Sequence, residues 1–331
     1  MLAAGLAKAG KSVVILEAGG WYTRHDFSLD ELEAFVRLYQ EQGGRSTSDR
    51  AITILQGRSV GGSTTINWTT CFRTPDRILR HWAEHHGVDF TDGRLDAHFA
   101  AVEERLNIHR WDPASANENN RKLLAGCEAL GWEAAPLRRN VSGCVNSGYC
   151  GMGCPVNGKQ AMHITYIPDA VKAGARVYAN TEAQQIITNG DAVTEIRCRV
   201  RDEETDQETG VQLIVRPRVA VCSGGAINTP ALLLRSDLND NGRVGLRTFL
   251  HPVIGIPSIY AAPVMPFYGA PQSIGSHQFI DRGADKMGFF MESAPLHPGL
   301  AATAQPAFGG DAREYMAQLS HIGILLALHV D

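Results

Sequence analysis

The stretch "GRSVGGSTTINW", residues 57–68, concentrates the parts an anion cradle needs. Glycines at 57, 61 and 62 permit close backbone approach and left-handed φ values. Successive backbone N–H groups in such a turn can converge on one anion. Arg58 adds a fixed charge, and Ser63, Thr64 and Thr65 add hydroxyl donors. These groups suit a pyrophosphate. Asn67, an amide that both donates and accepts, and Trp68, a flat apolar face, suit a heteroaromatic ring. The same composition also serves a flexible turn between a strand and a helix, and the stretch alone leaves both readings open.

Glu17 is a second candidate. It closes an apolar β-branched run in "SVVILEAGG". In a dinucleotide-binding βαβ unit an acid ends the second strand, about 20 residues beyond a G-x-G-x-x-G turn, and binds ribose hydroxyls. Counting back about that distance places the glycines before residue 1. The first strand and phosphate loop of such a unit would then lie outside this sequence. The alternative is that Glu17 simply ends a buried strand beside a turn. A third candidate is Ser223–Gly224 in "RVAVCSGGAINTPALLLRS", where a strand, a glycine turn and a helix leave backbone N–H groups facing the turn.

Three cysteines, Cys144, Cys150 and Cys154, fall at C-x5-C-x3-C among glycines. Three thiolates this close could ligate zinc or an iron–sulfur cluster, with His163 a conceivable fourth ligand. Cys150 and Cys154 could instead form a redox-sensitive disulfide, or the three could simply pack in a tight loop.

The elements that must position these residues are legible in outline. "MLAAGLAKAG" predicts a helix with Leu2, Ala3, Leu6 and Ala7 on one face, feeding the strand that ends at Glu17. An amphipathic helix is predicted over 93–106, capped by Thr91 or Asp92. A second has Leu123, Leu124, Cys127 and Leu130 inward and Gly131 ending it. "VTEIRCRVR" alternates as a half-exposed strand with Cys198 on its buried face, and forms a hairpin with "VQLIV". Residues 219–222 predict an apolar strand, followed by Thr229 as helix N-cap and Pro230 at the first helical position. Beyond residue 245 Pro and Gly suggest the irregular strands of a second domain, and "IGILLALHV" reads as a buried-type strand.

The chain has 331 residues, 44% hydrophobic and 20% charged, enough for two domains with a buried core. A net charge of −4 with no basic block argues against a nucleic-acid partner. Its longest apolar run is well short of the roughly 20 residues of a membrane helix. Seven cysteines, an odd number, do not suggest a secreted disulfide scaffold.

"ILEAGG", "GRSVGGSTTIN" followed by "FRTPDRILRHWA", and "GGAINTPALLLRS" followed by "VGLRTFLHP" together resemble the GMC (glucose–methanol–choline) family of FAD-dependent oxidoreductases, in order and over essentially the whole chain. "GYCGMGC" followed by Lys159 and Gln160, and "MESAPLHPGLAA", resemble the branch of long-chain fatty alcohol oxidases and related bacterial alcohol dehydrogenases. The resemblance implies an α/β Rossmann-like FAD-binding domain over 1–250, with a helical and cysteine-rich insertion at about 107–165. It also implies part of a mainly antiparallel substrate domain over 251–331. Glu17 would bind the adenosine ribose, with Ala18 and Gly19 beside it. Arg58, Gly61, Gly62 and Ser63 would pass along the pyrophosphate, and Asn67, Trp68 and Thr69 would approach the flavin. Gln185 would face the adenine, and Ser223 and Gly224 would close the other side.

The substrate would be a small-molecule alcohol, with oxygen, a quinone or a cytochrome as electron acceptor. The family's G-x-G-x-x-G and its catalytic histidine have no match here. His251, His321 and His329 read as structural, so no catalytic residue is assigned. The expectation is a fragment truncated at both ends and itself nearly inactive. The alternatives are a non-catalytic truncated gene product and an electron-transfer protein using the cysteines.

Overall fold

The computed structural model describes residues 1–283, 286–305 and 307–329. They fall into two compact units interleaved along the chain. Residues 1–23, 35–63 and 166–250 make the first, and 24–34, 64–165 and 251 onward make the second.

In the first unit the helix Leu2–Lys8 leads to the strand Val14–Leu16, which pairs in parallel with Arg176–Tyr178. The helix turns a different face inward from the predicted one. Ala4 and Ala7 pack against Ala170 and Ala175, whereas Leu2 and Leu6 are 56% and 38% exposed. A contact made through methyl groups on both sides leaves no room for leucine. The predicted hairpin forms from Ala192–Arg201 and Glu208–Val215, with Thr181–Asn189 completing an antiparallel sheet, and Cys198 is buried.

The segment 219–222 is not a strand. It makes no ladder, and Val219 and Val221 are 76% and 56% exposed. Apolar residues alone do not make a strand, because pairing needs a neighbour. The helix that follows runs Gly225–Arg235 with Gly224 as N-cap, so Thr229 and Pro230 lie inside it. Thr229 still performs a capping bond, since its Oγ1 accepts from the Gly224 N–H at 2.9 Å.

The second unit is built on an antiparallel sheet in the order Ala135–Pro136, Ile274–Ser276, Phe289–Ser293, Ile322–His329, Val253–Ile259. The predicted helix forms as Glu118–Leu130, capped by the Asn117 side chain and ended by Gly131 at φ 68°. Leu123 and Cys127 pack on Ile274, with Met291 and Leu325 beside them. Leu130, expected inward, is 61% exposed. The other amphipathic helix runs Asp96–Arg105, starting after Leu95 rather than at Thr91 or Asp92.

Met291 faces the helix Glu118–Leu130, so alternation places Glu292 on the opposite face of the sheet. Glu292 is 2% exposed. Its Oε1 accepts from Gln272 Nε2, while Oε2 has no partner among the described residues. Burial pushes its carboxyl from the ordinary 4.5 to about 8. The folded state therefore holds a proton the unfolded chain has released, and stability falls as pH rises from 4.5 towards 8. Glu292→Gln removes that dependence. Its melting temperature should match wild type near pH 5 and exceed it above pH 8 by several degrees. Melting curves at pH 5, 7 and 9 check this; a constant difference across the series counts against it.

Candidate functional site

Glu17 follows the strand Val14–Leu16, and its backbone is fixed on both sides. Its N–H donates to Tyr178 O at 3.0 Å, and its carbonyl accepts from Thr181 N–H at 2.8 Å. The Gly19 N–H donates to Glu17 Oε1 at 2.8 Å. Burial pushes the carboxyl up to about 7, although the Gly19 amide and the Arg58 charge pull the other way.

The 57–63 segment lies directly beside this acid. Gly20 bridges Ser59 in parallel, and Val60 N–H donates to Gly20 O at 2.9 Å. The approach is close: a Cβ on Gly19 would stand 2.2 Å from the Arg58 carbonyl oxygen. Gly61 and Gly62 take φ values of 103° and 56°, and Ser63 Oγ closes the turn by accepting from Gly57 N–H at 3.0 Å. Arg58 is held by both carboxylate oxygens of Asp206, at 2.9 and 2.6 Å, and donates to Ala18 O at 3.1 Å. An incoming anion would therefore share Arg58 with Asp206.

Two further candidates of this unit connect to the same segment. Gln56 Nε2 donates to Gly224 O at 3.4 Å, which sets the Ser223–Gly224 turn beside residue 57. Gln185 sits just after an irregularity in the strand Thr181–Asn189, the strand whose first N–H binds the Glu17 carbonyl. The first unit thus gathers Glu17, Ala18, Gly19, Arg58, Gly61, Gly62 and Ser63 into one cradle with Gly224 at its edge.

Asn67, Trp68 and Thr69 belong to the second unit, where two buried cations hold the segment, one by backbone carbonyls and one by a side-chain hydroxyl. Lys159 Nζ donates to Thr65 O at 2.5 Å, Asn67 O at 3.1 Å and Cys150 O at 2.6 Å. Arg139 Nε donates to Thr69 Oγ1 at 2.8 Å, and Thr69 takes a left-handed φ of 73°. Asn67 Oδ1 is buried without a partner among the described residues, an acceptor suited to a ring N–H. Trp68 stacks on His297 with centroids 5.9 Å apart and planes 16° from parallel. Burial pushes His297 down to about 4, so its imidazole is neutral, and its Nε2 has no partner among the described residues.

Sequence reasoning missed His297, Arg139 and the function of Lys159. A run of carbonyls held by one ammonium leaves no local pattern. The cysteines are all free thiols. Among the described residues no three His, Cys, Asp or Glu side chains are placed to hold a metal ion. His163 is instead pushed by burial to about 4 and lies 3.5 Å from Thr65 Oγ1.

Each unit by itself offers groups suited to part of a dinucleotide. The carboxylate at a strand end suits ribose hydroxyls. A cradle that a single Cβ would fill suits a close diphosphate, and the orphaned Asn67 Oδ1 suits a ring donor. The fold is that of FAD-binding flavoenzymes. It superimposes on formate oxidase of Aspergillus oryzae with a TM-score of 0.59 at 12% identity, covering 99% of this chain and 71% of that one. The pyridoxine 4-oxidase of Mesorbium loti gives 0.60 at 15% identity, covering 99% and 68%.

The chain belongs to the GMC oxidoreductase family, whose model matches residues 35–253. An uncharacterized GMC-type oxidoreductase of Mycobacterium tuberculosis is 30% identical over 334 residues, covering 100% of this chain and 51% of its own length. A long-chain-alcohol oxidase of Arabidopsis thaliana is 33% identical over 258 residues, 76% of this chain and 34% of its own. The chain thus spans at most about half the length of these relatives.

Proposed function

We propose that this chain carries the FAD-binding part of an oxidoreductase acting on the CH–OH group of alcohols, long-chain or otherwise hydrophobic. The long-chain-alcohol oxidase relatives support the substrate class. The observation that carries the cofactor reading is the cradle in which Gly19 joins the Glu17 carboxylate to the Arg58 backbone.

On this reading Glu17, Ala18 and Gly19 hold the ribose. Arg58, Gly61, Gly62 and Ser63 hold the diphosphate. Asn67, Trp68 and Thr69 face the ring system, Gln185 faces the adenine, and Ser223 and Gly224 close the site. FAD, when bound, supplies the hydride acceptor. The chain's own residues hold the segment that would face it: Lys159 holds the carbonyls of Thr65 and Asn67, Arg139 holds the Thr69 hydroxyl, and Trp68 stacks on His297.

The test is addition of FAD to the purified chain, followed by desalting and measurement of flavin absorption. Retained flavin is the expected result, and colourless protein overturns the reading. Glu17→Gln replaces a charged acceptor by a neutral one, which costs roughly 1.5–3 kcal/mol, or about 10- to 150-fold in affinity. Because Glu17 ionises at about 7, FAD affinity should rise between pH 6 and 8 in wild type and stay flat in Glu17→Gln. A fluorescence titration at three pH values reads both effects.

A further inference from the structure

We propose that His81 and His85 form a chelating site for a divalent transition-metal ion on the helix Asp76–His86 of the second unit. Neither residue belongs to the cradle or to the 65–69 segment, and the metal would bind whether or not FAD does.

The helix brings the two imidazoles together. Residues four apart share one face of an α-helix, with Cβ atoms about 5–6 Å apart. The His81 and His85 ring centroids lie 4.4 Å apart, with planes 25° from parallel. Two imidazoles bound side by side to one ion, through nitrogens at about 2.0–2.1 Å, have a similar separation. Rotation about χ2, a broad torsion in histidine, turns both nitrogens to one point. Both side chains are exposed, so an ion reaches them from solvent. The His86 ring lies 5.4 Å from that of His81 and at 74° to it, displaced round the helix from the pair.

One tautomer of His85 is already favoured. Its Nδ1 lies 3.2 Å from the His81 carbonyl oxygen. An Nδ1–H donated to that oxygen leaves Nε2 with its lone pair, and such a bond to a carbonyl is what orients a metal-binding histidine. Imidazole suits Ni²⁺, Cu²⁺ and Zn²⁺, whereas Mg²⁺ and Ca²⁺ take oxygen. The position adds to the affinity. The helix closes at Gly87 with φ 67°, His85 lies in its last turn, and the negative end of the helix dipole favours a cation there.

With two protein ligands the ion keeps water at its remaining positions and exchanges readily, unlike the ion of a structural site with four side chains. Among the described residues no group of three is placed for a closed site. The bridge ties one turn of the helix to the next. It therefore holds the end of Asp76–His86 against fraying, since an ion bound only to the folded turn stabilises that turn by mass action.

The experiment titrates the full chain with Ni²⁺ by calorimetry, then follows amide hydrogen exchange by mass spectrometry in peptides covering residues 76–86. Free thiols elsewhere in the chain can also take up Ni²⁺, so exchange in this one helix is the deciding readout. At Ni²⁺ about ten times the dissociation constant, exchange there should slow by about tenfold. Mg²⁺ at the same concentration should leave it unchanged. His81→Asn and His85→Asn should each abolish the slowing, and His86→Asn should keep it. All three replace exposed side chains, so each variant folds. No slowing in the wild-type chain, slowing by Mg²⁺, slowing retained in His81→Asn or His85→Asn, or slowing lost in His86→Asn each overturn the proposal.

Discussion

Lys159→Met is expected to be the most destabilising single substitution in the second unit. It leaves the carbonyls of Thr65, Asn67 and Cys150 buried and without the donor that now satisfies them. An unsatisfied buried group costs roughly 1–3 kcal/mol, so three imply about 3–9 kcal/mol. Part of this is returned, because the ammonium is itself costly to bury: burial pulls its pKa from 10.5 down to about 8. A net loss of about 2–5 kcal/mol remains, a large share of a typical domain's stability.

Lys159→Arg should rescue poorly. A planar guanidinium cannot direct three donors from one nitrogen at three carbonyls. Lys122→Met is the control, since that ammonium is a surface partner of Glu118 and surface pairs contribute about 0–1 kcal/mol. Urea unfolding of the three variants separates the cases. A Lys159→Met midpoint equal to that of Lys122→Met would show that the carbonyls find other donors.

What could be read in advance was the chemistry that is local in sequence. An acid after a β-branched run, a glycine-dense turn with an arginine, and a helix ended by Gly131 each depend on neighbours within a few residues. They take their expected local forms. The failures are non-local. Residues 219–222 have the composition of a strand but no partner, and pairing cannot be seen from one segment. Leu2 and Leu6 fit a helical stripe, yet the buried contact is made by Ala4 and Ala7 against Ala170 and Ala175.

The buried charges were the least legible. Lys159, Arg139 and Glu292 are residue types that composition places at the surface. Their burial is decided by carbonyls, a ring and an amide from far along the chain. The two cations nevertheless fix the segment in which Asn67, Trp68 and Thr69 sit.

Gly19→Ala should abolish FAD uptake while leaving the rest of the first unit folded. The added Cβ would lie 2.2 Å from Arg58 O, 2.4 Å from Arg58 C and 2.6 Å from Ser59 N. All three are backbone atoms, so no rotamer change relieves the clash, and the two segments must separate by more than about 1 Å to restore ordinary contact distances of about 3.5 Å or more. Separation breaks the Gly20–Ser59 bridge and the Val60-to-Gly20 hydrogen bond, and draws the Gly19 N–H away from Glu17 Oε1. The ribose acid and the diphosphate turn would then no longer share one frame. An affinity loss of 100-fold or more is expected, about 2.8 kcal/mol.

Gly5→Ala supplies the contrast. Gly5 lies in the helix Leu2–Lys8 of the same unit with nothing within 4 Å of its missing Cβ. There the methyl should stabilise by roughly 0.5–1 kcal/mol, because glycine is a poor helix former. Both variants add one methyl to the same unit, so general effects of size and hydrophobicity cancel between them. If Gly19→Ala takes up FAD as readily as Gly5→Ala, the close approach of residues 19 and 58 is not what builds the cradle. If only Gly19→Ala fails, and its melting curve shows the unit still folded, the failure belongs to the join between the acid and the glycine turn.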